Sequence, residues 1–235
     1  MRHLILALLL VPCVAPAQNA PRPDADPRIE QIVASISEDR LKELLTRLVS
    51  FGTRNTMSDQ TSTTRGIGAA RNWILEEMRR SSEKLRVSFD THLIAPRGRI
   101  TSQVDLRNVM AVLPGRSPRR IYVSGHYDTV NIGGQNVSNS AAPGANAAGG
   151  DRQTRPGFDP NVEANGANDD GSGTVLTMEL ARVFAESGIQ FDATLVFITW
   201  AGEEQGLVGS NVHAEDLKKT SVSVEALFNN DIVGN

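Results

Sequence analysis

Four short clusters of histidine and acidic residues carry the chemistry that this sequence can support. They cover residues 125–128, 166–173, 202–206 and 229–231, and each follows an apolar run or is separated from one by a single loop. In open α/β sheets, functional sites gather beyond the carboxyl ends of the strands. Because buried carboxylates repel one another unless they share a cation, we predict that the four clusters meet around a metal ion.

Three of the clusters offer single candidate ligands. His126 can present a neutral imidazole nitrogen, and Asp128 lies two residues on, where its carboxylate can accept the other ring N–H. Asp169 lies in a glycine-flanked turn before a helix and can offer one oxygen to each of two ions. Asp231 follows an apolar strand and is a further candidate ligand. Each of these residues alone would be read as a structural or turn residue, so the prediction rests on their occurring together.

The adjacent pair Glu203 and Glu204 is the most specific of these features. Neighbouring residues in a turn need not point the same way, so one carboxylate can bind metal while the other faces the attacking water. A base beside a metal ion is what metal-assisted hydrolysis requires. A solvated surface pair is the simpler alternative, but here the pair lies between an apolar strand and Gln205-Gly206-Leu207.

The surrounding pattern predicts the elements that position these clusters. Helices are predicted over 37–48, where Ser37 is the expected N-cap, and over 64–81, 209–219 and a segment that begins after Ser172. Strands are predicted over 86–93, 108–113, 121–123, 193–199 and 224–228. Strands separated by helices predict an α/β fold, a three-layer α/β/α sandwich around a mixed, mostly parallel sheet.

The chain divides into three predicted regions. Residues 1–17 have a positively charged start, an apolar run over 4–11 and a small-residue cleavage site at 15–17, which is typical of a secretory signal peptide and predicts a secreted or periplasmic protein. Residues 18–27 are predicted to be a flexible lead-in, and 28–235 the catalytic domain. Within that domain, residues 131–166 form a long Gly/Asn/Ala-rich insertion, which we expect to be mobile and to lie beside the site.

Composition limits the partners. A formal net charge of -3 and an isoelectric point near 5.8 argue against nucleic acid or an anionic membrane surface. The apolar run at the start is too short to span a bilayer, so no membrane anchor is predicted. Cys13, the single cysteine, lies in the predicted signal peptide, so the mature chain has no thiolate ligands or disulfides. Any metal must be held by histidine and carboxylates. Composition does not indicate an oligomeric state.

The four clusters resemble those of the aminopeptidase Y family of secreted exopeptidases with two co-catalytic zinc ions. Residues 126–128 read His-Tyr-Asp, 168–173 Asn-Asp-Asp-Gly-Ser-Gly, 202–210 Gly-Glu-Glu-Gln-Gly-Leu-Val-Gly-Ser, and 229–231 Asn-Asn-Asp. The resemblance runs from about residue 36 to the last residue, and four motifs in the family's order make it specific. It implies a peptide or protein substrate, hydrolysed from its N-terminus.

The resemblance also implies a role for each site residue. His126 and Asp231 would hold one zinc, Glu204 the other, and Asp169 would bridge both. Two-metal sites of this type hold their ions roughly 3.5–4 Å apart.

The remaining two roles follow from the same resemblance. Glu203 would be the general base, and Asp128 would support His126 on the side of the imidazole ring away from the metal.

The sequence departs from the family pattern at the second zinc. In the family that zinc has a further histidine ligand downstream of the Asn-x-Asp motif, whereas this sequence ends four residues after Asp231. His3, His92 and His213 do not match that position. We therefore expect a catalytic domain truncated at its C-terminus, with one incomplete zinc site. Such a chain would bind at most one zinc tightly and hydrolyse peptides poorly or not at all.

Two other functions remain open at this stage. A zinc-dependent glutaminyl cyclase shares the implied fold but uses one zinc for intramolecular acyl transfer. A non-catalytic binding domain, or an inactive fragment, would keep the fold without the reaction. The intact set of His126, Asp169 and Asp231 favours the peptidase, because a domain that has lost its activity should show substituted ligands.

Overall fold

A computed structural model describes residues 26–131 and 159–234 of the chain. The predicted signal peptide, most of the lead-in 18–27 and most of the insertion 131–166 lie outside the described residues. The first described segment is a helix, α1, which Asp26 caps by accepting a hydrogen bond from the main-chain N–H of Arg28. Pro27 occupies the first position of this helix, where its missing N–H costs nothing. The sequence analysis did not predict this helix.

The described residues form five α-helices and five β-strands. The helices are α1 Pro27–Ala34, α2 Glu38–Val49, α3 Gly66–Ser81, α4 Gly173–Glu186 and α5 Val208–Lys219. The strands are β1 Arg86–Ile94, β2 Val104–Leu113, β3 Arg120–His126, β4 Thr194–Trp200 and β5 Val224–Asn229. All the predicted helices and strands are present, although β2 begins four residues earlier and β3 ends three residues later than predicted. Ser37 caps α2, as expected, through the main-chain N–H of Arg40.

The strands form one open sheet in the order β1-β2-β4-β3-β5. The pairs β1–β2 and β2–β4 are antiparallel, whereas β3–β4 and β3–β5 are parallel. The sheet is therefore mixed, as predicted, but parallel pairs are not the majority. The reason is the direct connection between β1 and β2, which brings the second strand back beside the first in the opposite direction.

The three parallel strands bring their carboxyl ends to one edge of the sheet. His126 at the end of β3 is in register with Trp200 at the end of β4, and Ser124 is in register with Asn229 at the end of β5. The clusters that follow these strands therefore meet at this edge, as the sequence predicts for an α/β sheet.

Core residues cover both faces of the sheet, which confirms the three-layer α/β fold. On one face, Phe197 of β4 packs in a cluster with buried residues of α2, α3 and α4. On the other, its neighbours Val196 and Ile198 pack with Tyr122 and with Leu217 of α5. Such alternation is the expected result of side chains pointing to opposite faces of a strand. None of the helices in the described ranges is both long enough and apolar enough to cross a membrane.

Candidate metal centre

His126 is a buried side chain at the carboxyl end of β3. Its Nδ1 lies 3.1 Å from the main-chain oxygen of Asp128 and 3.6 Å from Oδ1 of the Asp128 carboxylate. The nearer acceptor is thus the carbonyl, and not the carboxylate that the sequence predicted. A proton on Nδ1 that is donated to this carbonyl leaves the lone pair of Nε2 available to a metal ion.

Two carboxylates face the Nε2 atom of His126. Asp169 Oδ1 lies 3.2 Å from Nε2, and Asp231 Oδ1 lies 3.9 Å from it. The three donor atoms are all within 4.8 Å of one another, and within the described ranges no other group of three such residues converges in this way. One imidazole nitrogen and two carboxylate oxygens are a donor set that zinc accepts, so the residues present fit the metal.

Glu203 and Glu204 follow β4 in a turn beside this donor set. Glu203 Oε2 lies 3.9 Å from His126 Nε2, as far as the nearer oxygen of Asp231. Glu204 is half-buried but does not belong to the converging group of three. The structure therefore brings Glu203 to the site directly, and Glu204 lies at its border.

Asp128 fixes the turn that carries the glutamate pair. Its carboxylate is fully buried, and its two oxygens accept hydrogen bonds from the main-chain N–H groups of Glu203, at 3.1 Å, and Glu204, at 3.2 Å. Through its main-chain carbonyl the same residue orients the ring of His126. Asp128 thus connects the two clusters, and its main-chain carbonyl, not the predicted carboxylate, lies nearest to the His126 ring nitrogen.

Several carboxylates crowd the centre, and their negative charge favours the binding of a cation. Burial raises the pKa of Glu204 to about 8, and the nearby charges of Asp128 and Asp169 act in the same direction. Burial also raises the pKa of Glu203. Burial alone would lower the pKa of His126, but Asp128 and Asp169 outweigh it and raise that pKa to about 11. Carboxylates that are crowded in this way gain from sharing a metal ion.

Asp170 is a site residue that the sequence analysis did not single out. It is fully buried; Oδ2 accepts a hydrogen bond of 2.8 Å from the main-chain N–H of His126, and Oδ1 accepts one of 2.9 Å from that of Gly173 at the start of α4. Asp170 therefore joins the end of β3 to the start of α4. Gly125 allows this contact, because a Cβ there would lie 2.7 Å from the main-chain carbon of Gly173.

Asn108 and Thr56 hold the glutamate turn from the other side and were also missed. Asn108 Oδ1 accepts a hydrogen bond of 3.0 Å from the main-chain N–H of Ala201. Thr56 Oγ1 accepts one of 3.0 Å from the N–H of Gly202 and lies 3.2 Å from a carboxylate oxygen of Asp128, to which it donates. Local sequence gives no signal for these contacts, because each joins segments far apart in the chain.

The two other described histidines belong to a separate network. His213 Nδ1 lies 2.9 Å from Asp90 Oδ2, and its Nε2 lies 3.1 Å from the hydroxyl of Tyr122. His92 Nε2 lies 3.0 Å from Asp90 Oδ1. Both nitrogens of His213 therefore have partners, and neither histidine joins the group around His126.

The sequence profile of Peptidase family M28 matches residues 108–235, which is more than half of the chain and includes all six predicted site residues. The chain belongs to this family. Two curated relatives are similar to the chain in sequence. A probable zinc metalloprotease of Pyricularia oryzae is 40% identical over 222 residues, covering 92% of this chain and 39% of that protein. A probable leucine aminopeptidase of Arthroderma otae is 30% identical over 210 residues, covering 88% of this chain and 47% of that protein.

Solved structures resemble the M28 chain in fold. The LapA aminopeptidase of Legionella pneumophila has a TM-score of 0.59 at 22% identity, over 87% of this chain and 46% of that one. The glutaminyl cyclase of Porphyromonas gingivalis has a TM-score of 0.64 at 19% identity, over 85% of this chain and 62% of that one. At these identities the likeness shows the α/β fold alone. The chain spans less than half the length of the curated Pyricularia oryzae and Arthroderma otae relatives.

Proposed function

We propose that this protein is a zinc-dependent aminopeptidase, which removes N-terminal residues from peptides. The observation that carries the proposal is the convergence of His126 Nε2, Asp169 Oδ1 and Asp231 Oδ1 within 4.8 Å, with Glu203 Oε2 3.9 Å from the same nitrogen. Three ligands with an adjacent carboxylate base are what hydrolysis by an activated water requires.

The side chains have two separate roles in the proposed reaction, metal binding and proton transfer. His126, Asp169 and Asp231 would hold a zinc ion, which when bound polarises the scissile carbonyl and lowers the pKa of water. Glu203 accepts the proton of the attacking water, whose oxygen adds to the carbonyl carbon. As the C–N bond breaks, Glu203 returns the proton to the leaving amine. Burial raises the pKa of Glu203 and so makes it a stronger base than an exposed glutamate.

Glu204 is the candidate ligand for a second zinc ion, with Asp169 shared between the two. The raised pKa of Glu204 is consistent with a carboxylate placed to gain a cation. In this proposal the complete site has two ions. One ion would be held by His126, Asp169 and Asp231, whose donor atoms lie within 4.8 Å of one another, and the other by Glu204 and a share of Asp169 among the described residues.

The relatives support a peptidase and leave its finer specificity to experiment. The names of the Pyricularia oryzae and Arthroderma otae proteins indicate a metalloprotease and an aminopeptidase. The glutaminyl cyclase among the solved structures shares the fold, so cyclisation remains the alternative reaction. Peptide cleavage and cyclisation leave different products, and this difference decides between them.

The test is a product assay on the zinc-loaded protein, made with the 235-residue chain and with any longer product of its gene. We expect release of the N-terminal residue from an unblocked leucyl peptide and no release from its N-acetylated counterpart, because an aminopeptidase requires the free amine. A glutaminyl peptide should likewise be shortened. Ammonia and a pyroglutamyl peptide of unchanged length would instead identify a cyclase, and zinc binding with neither product would identify a binding domain.

We also propose that the protein is exported and that its signal peptide is removed after Ala17, which leaves Gln18 as the first residue. These residues lie outside the described part of the chain, so the proposal rests on the sequence pattern. Mass spectrometry of the protein recovered from the culture medium or periplasm should give this N-terminus. Exported protein that retains residues 4–11 would contradict it.

A further inference from the structure

Arg54 is a fully buried arginine beside the metal ligands, in the segment that follows α2. All three nitrogens of its guanidinium donate to main-chain oxygens. Nε donates to Tyr127 at 2.7 Å, Nη1 to Asn165 at 2.7 Å, and Nη2 to Gly166 at 2.9 Å. The planar guanidinium has a fixed array of donors, which is suited to holding several acceptors in one arrangement.

These three carbonyls belong to the two segments that carry ligands. Tyr127 lies in residues 126–129, here named the His126 loop, between His126 and Asp128. Asn165 and Gly166 lie in residues 165–170, here named the Asp169 loop. The guanidinium thus bridges the two loops directly.

The main chain of Arg54 adds two contacts to the same loop. Its N–H donates to Thr129 Oγ1 at 2.9 Å, and its carbonyl accepts from the N–H of Thr129 at 3.3 Å. Arg54 is therefore attached to the His126 loop both through its side chain and through its main chain.

The charge of Arg54 also matches its surroundings. Arg54 is in none of the ion pairs found in the described ranges, so it does not act through a direct salt bridge to a ligand carboxylate. Burial lowers the pKa of Arg54 to about 10, while the nearby charges of Asp128, Asp170 and Asp169 oppose this fall. A buried cation that has no carboxylate partner is costly even when its N–H groups are hydrogen-bonded, and the nearby acidic centre offsets part of that cost.

We propose that Arg54 is a positioning residue that holds the His126 loop and the Asp169 loop at the separation needed for their side chains to share one zinc ion. This inference rests on the proposed zinc site. Nε2 of His126 and Oδ1 of Asp169 are 3.2 Å apart in the structure, although neither side chain contacts Arg54 through a hydrogen bond. Arg54 acts on this distance only through the main chain of the two loops.

The test compares zinc affinity in Arg54→Lys with that in a matched variant, Arg71→Lys. Lysine keeps the charge but cannot reach three carbonyls from fixed positions. Arg71 is also buried and donates to the main-chain oxygens of Asp105 and Gln60, and none of its hydrogen bonds in the described ranges reaches the His126 loop or the Asp169 loop. Competition with a chelating dye should show zinc binding weakened about 10–100-fold in Arg54→Lys, as for residues that orient metal ligands. Arg71→Lys should keep the wild-type zinc affinity, whatever its effect on the melting temperature.

Two further measurements separate positioning from general stability. In Arg54→Ala, millimolar methylguanidinium should restore part of the zinc affinity, because it can refill the space left by the side chain. Thr129→Val, which keeps the shape but removes the acceptor of the Arg54 N–H, should weaken zinc binding by about fivefold, the effect of one lost hydrogen bond. If the Arg54 variants do not fold, the zinc affinity of Thr129→Val alone tests the positioning role.

Each result has a distinct meaning. Wild-type zinc affinity in Arg54→Lys and Thr129→Val, or an equal loss of affinity in Arg71→Lys, would overturn the positioning role alone. A wild-type protein that binds no zinc would overturn the proposed function, and this proposal with it. A wild-type protein that binds zinc without cleaving peptides would count against the peptidase reaction but leave the role of Arg54 to be decided by the affinities.

Discussion

Glu203→Gln is expected to lower kcat by about 10²–10⁴-fold, the usual loss when a general base is removed. Glutamine keeps the shape of the side chain but cannot accept the proton of the attacking water. The turn itself should not move, because Asp128 binds the main-chain N–H of Glu203 and not its side chain. The measurement is the steady-state rate on an unblocked leucyl peptide, together with zinc content, in the longest active product of the gene.

Two companion variants make this result specific. Glu215→Gln changes an exposed glutamate on α5 and should leave both rate and zinc content unchanged. Glu204→Gln should reduce zinc content, because Glu204 is the proposed ligand. If zinc is lost in Glu203→Gln and kept in Glu204→Gln, the roles of the two glutamates must be exchanged.

The 235-residue chain should bind one zinc ion tightly, and His126→Ala should abolish that binding. One position has an imidazole and two carboxylates that already converge, whereas Glu204 lies outside the converging group. A zinc site with water as its fourth ligand needs three protein ligands, so removal of the single imidazole leaves too few. Equilibrium dialysis followed by metal analysis gives the number of ions per chain, and hydrolysis by this chain is expected to be slow.

His92→Gln is the control for the zinc measurement. His92 contacts Asp90 in the separate network, so this variant should still bind one zinc ion. Two tightly bound ions together with fast hydrolysis in the wild-type chain would contradict the prediction. A second ion that is lost in His92→Gln, or in a corresponding variant of His213, would show that one of these histidines supplies a ligand.

The sequence was sufficient to predict where the candidate site lies. His126 ends β3, Glu203 and Asp231 follow β4 and β5, and these three strands are parallel neighbours whose carboxyl ends meet. Asp169 lies just before α4. Strand-end placement depends on the hydrophobic pattern and on connection lengths, both of which are visible in a single sequence. The α/β fold and the helices α2 to α5 could be predicted for the same reason, whereas α1 was missed.

The contacts that fix the site could not be predicted in this way. Arg54, Thr56, Asn108 and Asp170 act on main-chain groups of segments distant in sequence, and nothing in their local pattern distinguishes them from ordinary polar residues. The Asp128 carboxylate shows the same difficulty. Proximity in sequence suggested His126 as its partner, but main-chain N–H groups beyond β4 compete for its oxygens in the folded protein.

Asp128, Thr56 and Asn108 hold the glutamate turn through hydrogen bonds to its main chain. None of these hydrogen bonds depends on which side chain stands at position 203 or 204. A single substitution there can therefore abolish or redirect the chemistry while the scaffold survives. New reactions can therefore evolve at this site by substitution of residues 203 and 204 while the protein stays folded.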